Sequence, residues 1–274
     1  MSLAQAPKIL VIRRDNIGDL VCTTPLISAL RRRHPGAHIA ALVNTYNQQV
    51  LEGHPDLDAV YAYAKAKHRA PGQSRAAVYG DTFALVLKLR AQRFDYALLA
   101  SPHPGASALR LARWIAPGQI AGYAEPTGRV DLAVPHDAAK ARHEVENVFR
   151  LAQLFGIEGA PGKLSMAVDA DAGKRAGAAL CAFGGKRKLV AAHISARKPS
   201  QRWPAERYAE LLRALGAEAD LLLLWSPGAE DHAQHPGDDA KARALSTPRQ
   251  HCRCWRIRQT RSRTWRPHCP MPIM

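Results

Sequence analysis

The 274-residue sequence carries 39 Lys and Arg against 23 Asp and Glu, a formal charge of +16, with 47% hydrophobic and 23% charged residues. This composition excludes a wholly disordered chain, and the length corresponds to roughly two domains of about 150 residues. No stretch reaches the ~18 consecutive apolar residues of a membrane span, and the apolar run Ile9–Ile12 is too short for a signal-peptide core.

The charge is unevenly spread. Ser246–Met274 holds seven arginines and no acid, so +7 belongs to that stretch and +9 to the preceding body. Only Cys22 and Cys181 of the five cysteines precede it, which makes no disulfide framework, and a cytoplasmic compartment is expected. A basic body suits an anionic partner such as a nucleotide, a phosphorylated sugar, a lipid headgroup or nucleic acid.

In chain order, continuous aliphatic runs predict strands at Lys8–Arg13, His38–Val43, Ala59–Tyr63, Asp95–Ala100, Lys188–Ile194 and Asp220–Trp225. Amphipathic stretches predict helices at Pro25–Arg33, Ser74–Arg93, Gly105–Ile115, Arg142–Phe155, Ala172–Ala182 and Pro204–Leu215. Continuous rather than alternating runs fit parallel strands covered on both faces. The strand–helix alternation therefore predicts an α/β chain with open, doubly wound sheets. Gly156, Gly159 and Pro161 break the pattern, dividing it into a Rossmann-like domain over 1–158 and a second over 163–245. Only two strand–helix units are legible in the second, so it reads as incomplete.

Arg13–Pro25 joins the first strand to the first helix, where an open α/β sheet holds its ligands. The segment lacks the G-x-G-x-x-G of a dinucleotide site and the Gly-Lys-Ser/Thr of a phosphate loop. It offers Asp19 after Gly18, then Thr23, with Thr24 read as an N-cap before Pro25. Asp19 is either a helix-capping acid or a general base facing the cleft, with Gly18 permitting close approach of a ligand. Asp15 follows two arginines and reads as an ion-paired loop residue. In the second domain, Ser195, Arg197, Lys198, Ser200, Gln201 and Arg202 precede the Pro204 helix. Hydroxyls and cations before a helix N-terminus suit a diphosphate, although a solvated basic loop has the same composition.

The opening KILVIRRDNIGDLVCTTPLISALRRRHPGAHI, the segment HEVENVFRLAQLFGI and the loop HISARKPSQRWPAERYAEL together resemble glycosyltransferase family 9, the ADP-heptose:lipopolysaccharide heptosyltransferases. The resemblance runs over most of residues 7–245. It implies a GT-B fold of two Rossmann-like domains, the acceptor on the first and the nucleotide sugar on the second. It further implies inverting transfer of heptose to the anionic inner core, no metal or cofactor besides the donor ADP-heptose, and Asp19 as general base. The Ser195–Arg202 loop would bind the donor. Gly18, Thr23, Lys65, Lys67, Arg69 and Arg129 would bind the acceptor. The enzyme would work in the cytoplasm at the inner face of the membrane, with peripheral membrane association and no nucleic-acid partner. Two departures stand out: Gln201 replaces a lysine found in some members, and the later Asp-Ser/Thr/Gly-Gly-x-x-His segment that holds the nucleotide sugar is missing.

Ser246–Met274 shows neither helical nor strand periodicity, and its Arg, Pro, Cys, Trp and His content fits a coding sequence read out of frame. It is expected to be a disordered, truncating tail. A zinc site from Cys252, Cys254, His268 and Cys269 lacks standard finger spacing, and an arginine-rich nucleic-acid arm has no recognition module beside it. A catalytically inactive remnant that keeps only the acceptor domain is the alternative to an active enzyme.

Overall fold

The aliphatic runs pair as parallel strands. The computed structural model describes residues 6–64, 74–103, 105–124, 130–136, 142–182, 187–196, 198–231, 237–246 and 254–258. They divide into two compact units, Met1–Val168 and Asp169–Met274. In the first, β1 (Lys8–Ile12), β2 (His38–Asn44), β3 (Ala59–Tyr63), β4 (Tyr96–Leu99), β5 (Gln119–Tyr123) and β6 (Leu132–Val134) form one sheet in the order β3-β2-β1-β4-β5-β6. Every pairing in it is parallel.

β1 shows why its sequence is continuously apolar. Ile9 and Val11 enter one core with α2 (Thr24–Arg33) and the helical segment α5 (Glu144–Phe149), while Leu10 and Ile12 enter the other with α3 (Arg75–Ala91) and α4 (Gly105–Ile115). Successive side chains leave opposite faces of a strand, so a strand covered on both sides must be apolar at every position. β5 and β6 fall outside the expected strands because neither is an aliphatic run. Gly122 interrupts β5 where a Cβ would sit 3.3 Å from Leu99 Cβ, and β6 has three residues.

Three aspartates set the sheet's amino edge. Asp58, Asp95 and Asp131 each precede a strand, and each accepts a backbone N–H from the start of a neighbouring strand. The donors are Ile39 of β2, Lys8 of β1 and Ile120 of β5, all at 2.7 Å. Each carboxylate satisfies an N–H that the ladder leaves unpaired and fixes the register of its pair.

The expected helix Arg142–Phe155 is α5 continued by a 3-10 segment, Arg150–Phe155, and ends on Gly156 with φ +67°. A left-handed residue here closes the helix, which is why glycine stands there. The unit boundary then falls after Val168 rather than at residues 158–163, because the intervening segment packs on the first unit. Ser165 donates its N–H to Thr24 Oγ1 at 3.0 Å, and its hydroxyl meets His54 Nε2 at 2.9 Å.

The second unit contains α6 (Ala170–Ala182), β7 (Lys188–His193), α7 (Ala205–Glu218), β8 (Ala219–Trp225), α8 (Asp239–Leu245) and β9 (Cys254–Arg258). The sheet runs β7-β8-β9, all parallel, over a core of Ile194, Leu212, Leu221, Leu223, Trp225, Ala242 and Leu245. β9 corrects the expectation of a tail without regular structure. Strand pairing uses backbone groups, so Cys254–Arg258 extends the edge of β8 without an aliphatic run to announce it. The other zinc candidates, Cys252, His268 and Cys269, lie outside the described residues, as does the side chain of Cys254.

Candidate active site

The order of the first sheet reverses between β1 and β4, and their carboxyl ends open side by side. Open α/β sheets bind ligands at such a switch point, and the Arg13–Thr23 segment begins there. It starts with a buried cation. Arg13 is 3% exposed, donates to the Ala100 carbonyl at the end of β4, and meets Glu144 Oε1 at 2.7 Å and Asp15 Oδ2 at 3.0 Å. A guanidinium is tolerated in this interior because a carbonyl and two carboxylates replace its water. Asp15 is thereby the ion-paired loop residue expected of it.

Arg14 turns the other way. Its Nε donates to the Tyr63 hydroxyl and its Nη1 reaches Ser107 Oγ at 3.3 Å. Burial pushes the Tyr63 hydroxyl up despite the opposing pull of the Arg14 guanidinium. From the end of β2, the buried Asn44 and Asn47 donate to the carbonyls of Arg14 and Asp15 at 3.0–3.3 Å. These two asparagines escaped the sequence reading. Their signal is an Asn-x-x-Asn directly after an apolar strand, where amides brace a neighbouring loop.

Held in this way, the chain enters a short helix, α1 (Ile17–Val21), with Asp19 in its first turn. Asp19 Oδ2 accepts from the backbone N–H of Asn16 at 3.1 Å and from its side-chain amide at 3.0 Å. Oδ1 lies 3.9 Å from Arg13 Nη2, beyond hydrogen-bond reach, and the side chain is 32% exposed. One oxygen thus holds the turn, and the other stands opposite the Arg13 guanidinium as its more distant ion-pair partner. Gly18 is exposed, and a Cβ there would meet nothing within 4 Å, so the protein's own packing does not require glycine. Burial and then the Glu144 and Asp19 carboxylates raise the Cys22 thiol, outweighing Arg13.

Two expectations in this segment are corrected. Thr23, not Thr24, is the N-cap of α2, and Thr24 occupies its first turn beside Pro25. Thr23 is also fully buried and donates to the Asp19 carbonyl at 2.9 Å, so it supports the loop from beneath and offers no group to an acceptor. Its hydroxyl finds a carbonyl four residues back, a bond that competes with solvent contact at a helix start. Lys65, Lys67, Arg69 and Arg129 lie outside the described residues. Farther along the same edge, His103 Nδ1 and His136 Nε2 stand 3.3 Å apart, beside the Tyr123 ring. Among the described residues, no three His, Cys, Asp or Glu side chains gather as metal ligands.

In the second unit the carboxyl end of β7 leads into Ile194–Pro204. Ser195 Oγ accepts the Ser226 N–H at 2.9 Å and so ties the ends of β7 and β8. Lys198, Ser200 and Gln201 are exposed around a 3-10 turn, Pro199–Gln201. Arg197 lies outside the described residues. Arg202 differs from its expected role as a donor-facing cation: it is 13% exposed, ion-paired with Glu230 at 2.5 Å, and bonded to the Ala196 carbonyl at 2.9 Å. It braces the loop with Glu230 as its ion-pair partner, while its buried Nη2 makes no hydrogen bond among the described residues. Lys241 of α8, also missed, reaches over to the carbonyls of Trp203 at 2.7 Å and Ile194 at 3.3 Å. The loop then ends at the N-terminus of the 14-residue helix α7.

The sequence model of glycosyltransferase family 9 (heptosyltransferase) matches residues 82–245, more than half of the chain. The chain belongs to this family. The family match takes in the β7–α7 loop, whereas Asp19 precedes it. The Escherichia coli lipopolysaccharide heptosyltransferase 3 is 31% identical over 78 residues, which is 28% of this chain and 22% of that relative. The matched stretch is thus under a quarter of the relative's length. A glycosyl transferase family 9 structure from Veillonella parvula covers 92% of this chain and 71% of its own, at 19% identity and a TM-score of 0.73. An E. coli heptosyltransferase solved with ADP covers 93% and 75%, at 16% identity and a TM-score of 0.65. These likenesses establish the GT-B type of α/β fold for this family 9 chain.

Proposed function

We propose that this family 9 chain transfers heptose, with inversion and without a metal, from ADP-heptose to the anionic inner core of lipopolysaccharide. The observation that carries the reading is Asp19, partly exposed at the switch point of the first sheet, with one oxygen in the capping turn and the other beyond hydrogen-bond reach of Arg13. In this reading Asp19 takes the proton of an acceptor hydroxyl as its oxygen bonds to the anomeric carbon. The bond from that carbon to the diphosphate breaks, and the electron pair leaves on ADP. Inversion requires a base on the face opposite the leaving group, as in inverting glycosidases. The departing charge is met by Lys198, Ser200 and the free N–H groups at the start of α7, with Arg202 and Lys241 holding the loop. Exposed Gly18 leaves room for the acceptor, whose phosphates Lys65, Lys67, Arg69 and Arg129 attract.

The names of the similar proteins support this substrate class: a lipopolysaccharide heptosyltransferase among the relatives, and an E. coli ADP-heptose lps heptosyltransferase II among the structures at a TM-score of 0.60. The test is Asp19→Asn assayed with ADP-heptose and core acceptor. Transfer is expected to fall about 10²–10⁴-fold, the usual weight of a general base, with donor affinity unchanged. Retained transfer, or a parallel loss of donor binding, overturns the assignment.

A further inference from the structure

Glu144 is 131 residues from Arg13 in sequence and meets it at the carboxyl end of β1. α5 puts it there. Glu144 is the first residue of that helix, behind His143, whose Nδ1 accepts the Val145 N–H at 3.3 Å. Val148 and Phe149 of the same helix are buried in one core with Ile9 and Val11 of β1. The Arg13 guanidinium is held on three sides. Asp15 Oδ2 lies 3.0 Å from Nε, the Ala100 carbonyl accepts from Nη1, and Glu144 Oε1 accepts from Nη2 at 2.7 Å. That same Nη2 stands 3.9 Å from Asp19 Oδ1. Two carboxylates thus face one nitrogen, and Glu144 holds it.

A buried guanidinium nitrogen that loses its acceptor closes on the next one, since an unmet N–H in the interior is costly. For Nη2 the next carboxylate is Asp19, and an approach of about 1 Å would make a direct bond. A carboxylate bonded directly to a guanidinium is a poorer proton acceptor, because the ion pair favours its charged form and a lone pair is occupied. We propose that Glu144 is a positioning residue for the transfer: it occupies Arg13 Nη2 and so keeps the guanidinium from closing on Asp19, whose Oδ1 stays able to take the acceptor's proton. This rests on the reading of Asp19 as the general base. The charged and titratable groups around Asp19 are Arg13 at the end of β1, Glu144 on α5, and Asp15 and Cys22 on its own segment. The Cys22 thiol, raised by burial and by both carboxylates, stays neutral and leaves the balance to the other three. A purely structural Glu144, tying α5 to the sheet, would leave the proton affinity of Asp19 as it is.

The experiment follows the carboxyl-carbon NMR resonance of Asp19 against pH in the full chain labelled at aspartate Cγ, with Asp19→Asn identifying the resonance by its loss. In Glu144→Ala the Asp19 titration is expected to move to lower pH. In Glu144→Gln, which keeps an acceptor for Nη2, it is expected to move less. Transfer from ADP-heptose should fall about 3–10-fold in kcat for Glu144→Ala, with acceptor KM little changed, and Glu144→Gln should recover most of that loss. The acid limb of the pH profile should move in the same direction as the titration. The Glu144 side chain is 31% exposed, so the alanine variant loses little packing, and melting temperatures mark any failure to fold. In that event Glu144→Met, of similar volume and without an acceptor, takes its place. An Asp19 titration unmoved in Glu144→Ala overturns the proposal. So does an equal shift in the alanine and glutamine variants, which assigns the effect to charge alone. A shifted titration with kcat unchanged in an active chain overturns the positioning role. If the wild-type chain transfers no sugar, the failure falls on the proposed activity, and the titration still decides whether Glu144 holds Arg13 off Asp19.

Discussion

Arg13 is the residue on which the candidate site turns. Of the two adjacent arginines that follow β1, only Arg14 stays partly outside, against Tyr63. Arg13 is buried and joins the ends of β1 and β4 to the start of α5 through Ala100 and Glu144. Removing one partner of such a pair leaves the others desolvated and unpaired, which costs more than the pair itself contributes. Arg13→Met is therefore expected to lower unfolding free energy by about 2–4 kcal/mol in urea titrations, the upper end being reduced because Glu144 is partly exposed. Arg13→Lys keeps the charge but not the planar fork, so it should recover only part of that loss.

At the scale of elements, the three edge aspartates explain how short parallel strands keep register without tight turns. Asp58 is the most heavily engaged: it accepts from the Ile39 N–H and pairs with Arg31 at 2.6 Å. Burial alone would raise its carboxyl, but the Ile39 N–H and the Arg31 guanidinium outweigh it and hold Asp58 below the ordinary carboxylate range. A depressed carboxyl stabilises the fold above its unfolded value, near pH 3.9, and that contribution is lost as pH falls through the folded value. Asp58→Asn keeps an acceptor for Ile39 but loses the ion pair. Because the carboxylate is 40% exposed and screened, the expected cost at neutral pH is about 1 kcal/mol. In denaturant titrations the gap between variant and wild type should close as pH falls below about 3.9.

Across the whole molecule, segments far apart in sequence complete the units. His54 and Ser165 meet although 111 residues separate them, and with Thr24 they hold the stretch before Val168 against the first unit. The backbone N–H of Asp56 donates to His54 Nδ1, so Nε2 carries the proton toward Ser165. Burial lowers the His54 pKa more than Asp56 raises it. Burial and then Arg33 lower that of His34, against the Phe155 backbone. Both histidines therefore bind fewer protons folded than unfolded below about pH 6.5, so stability falls as pH drops through that value. The urea midpoint is expected to decline between about pH 7.5 and 5.5, and His54→Asn should flatten that slope in part, His34 supplying the rest. A slope unaltered by the substitution would remove His54 from this account.

The sequence by itself determined the α/β class, the parallel strands from continuous aliphatic runs, α4 to its end residues, and the loop that carries Gly18 and Asp19. These are local properties: the period of apolar residues and the chemistry of a strand–helix junction are written within a dozen positions. Tertiary structure decided which polar side chains are available to a ligand. Thr23 is buried, Arg202 is ion-paired with Glu230 from 28 residues away, and Asn44, Asn47 and Lys241 brace loops from elsewhere in the chain. It also made strands of β5, β6 and β9, which lack an aliphatic run because pairing to an existing edge needs backbone groups rather than a pattern of side chains. A hydroxyl or a guanidinium looks the same in sequence whether it faces water or a carbonyl. The difference is a contact between distant segments, and that contact exists only once the chain has folded.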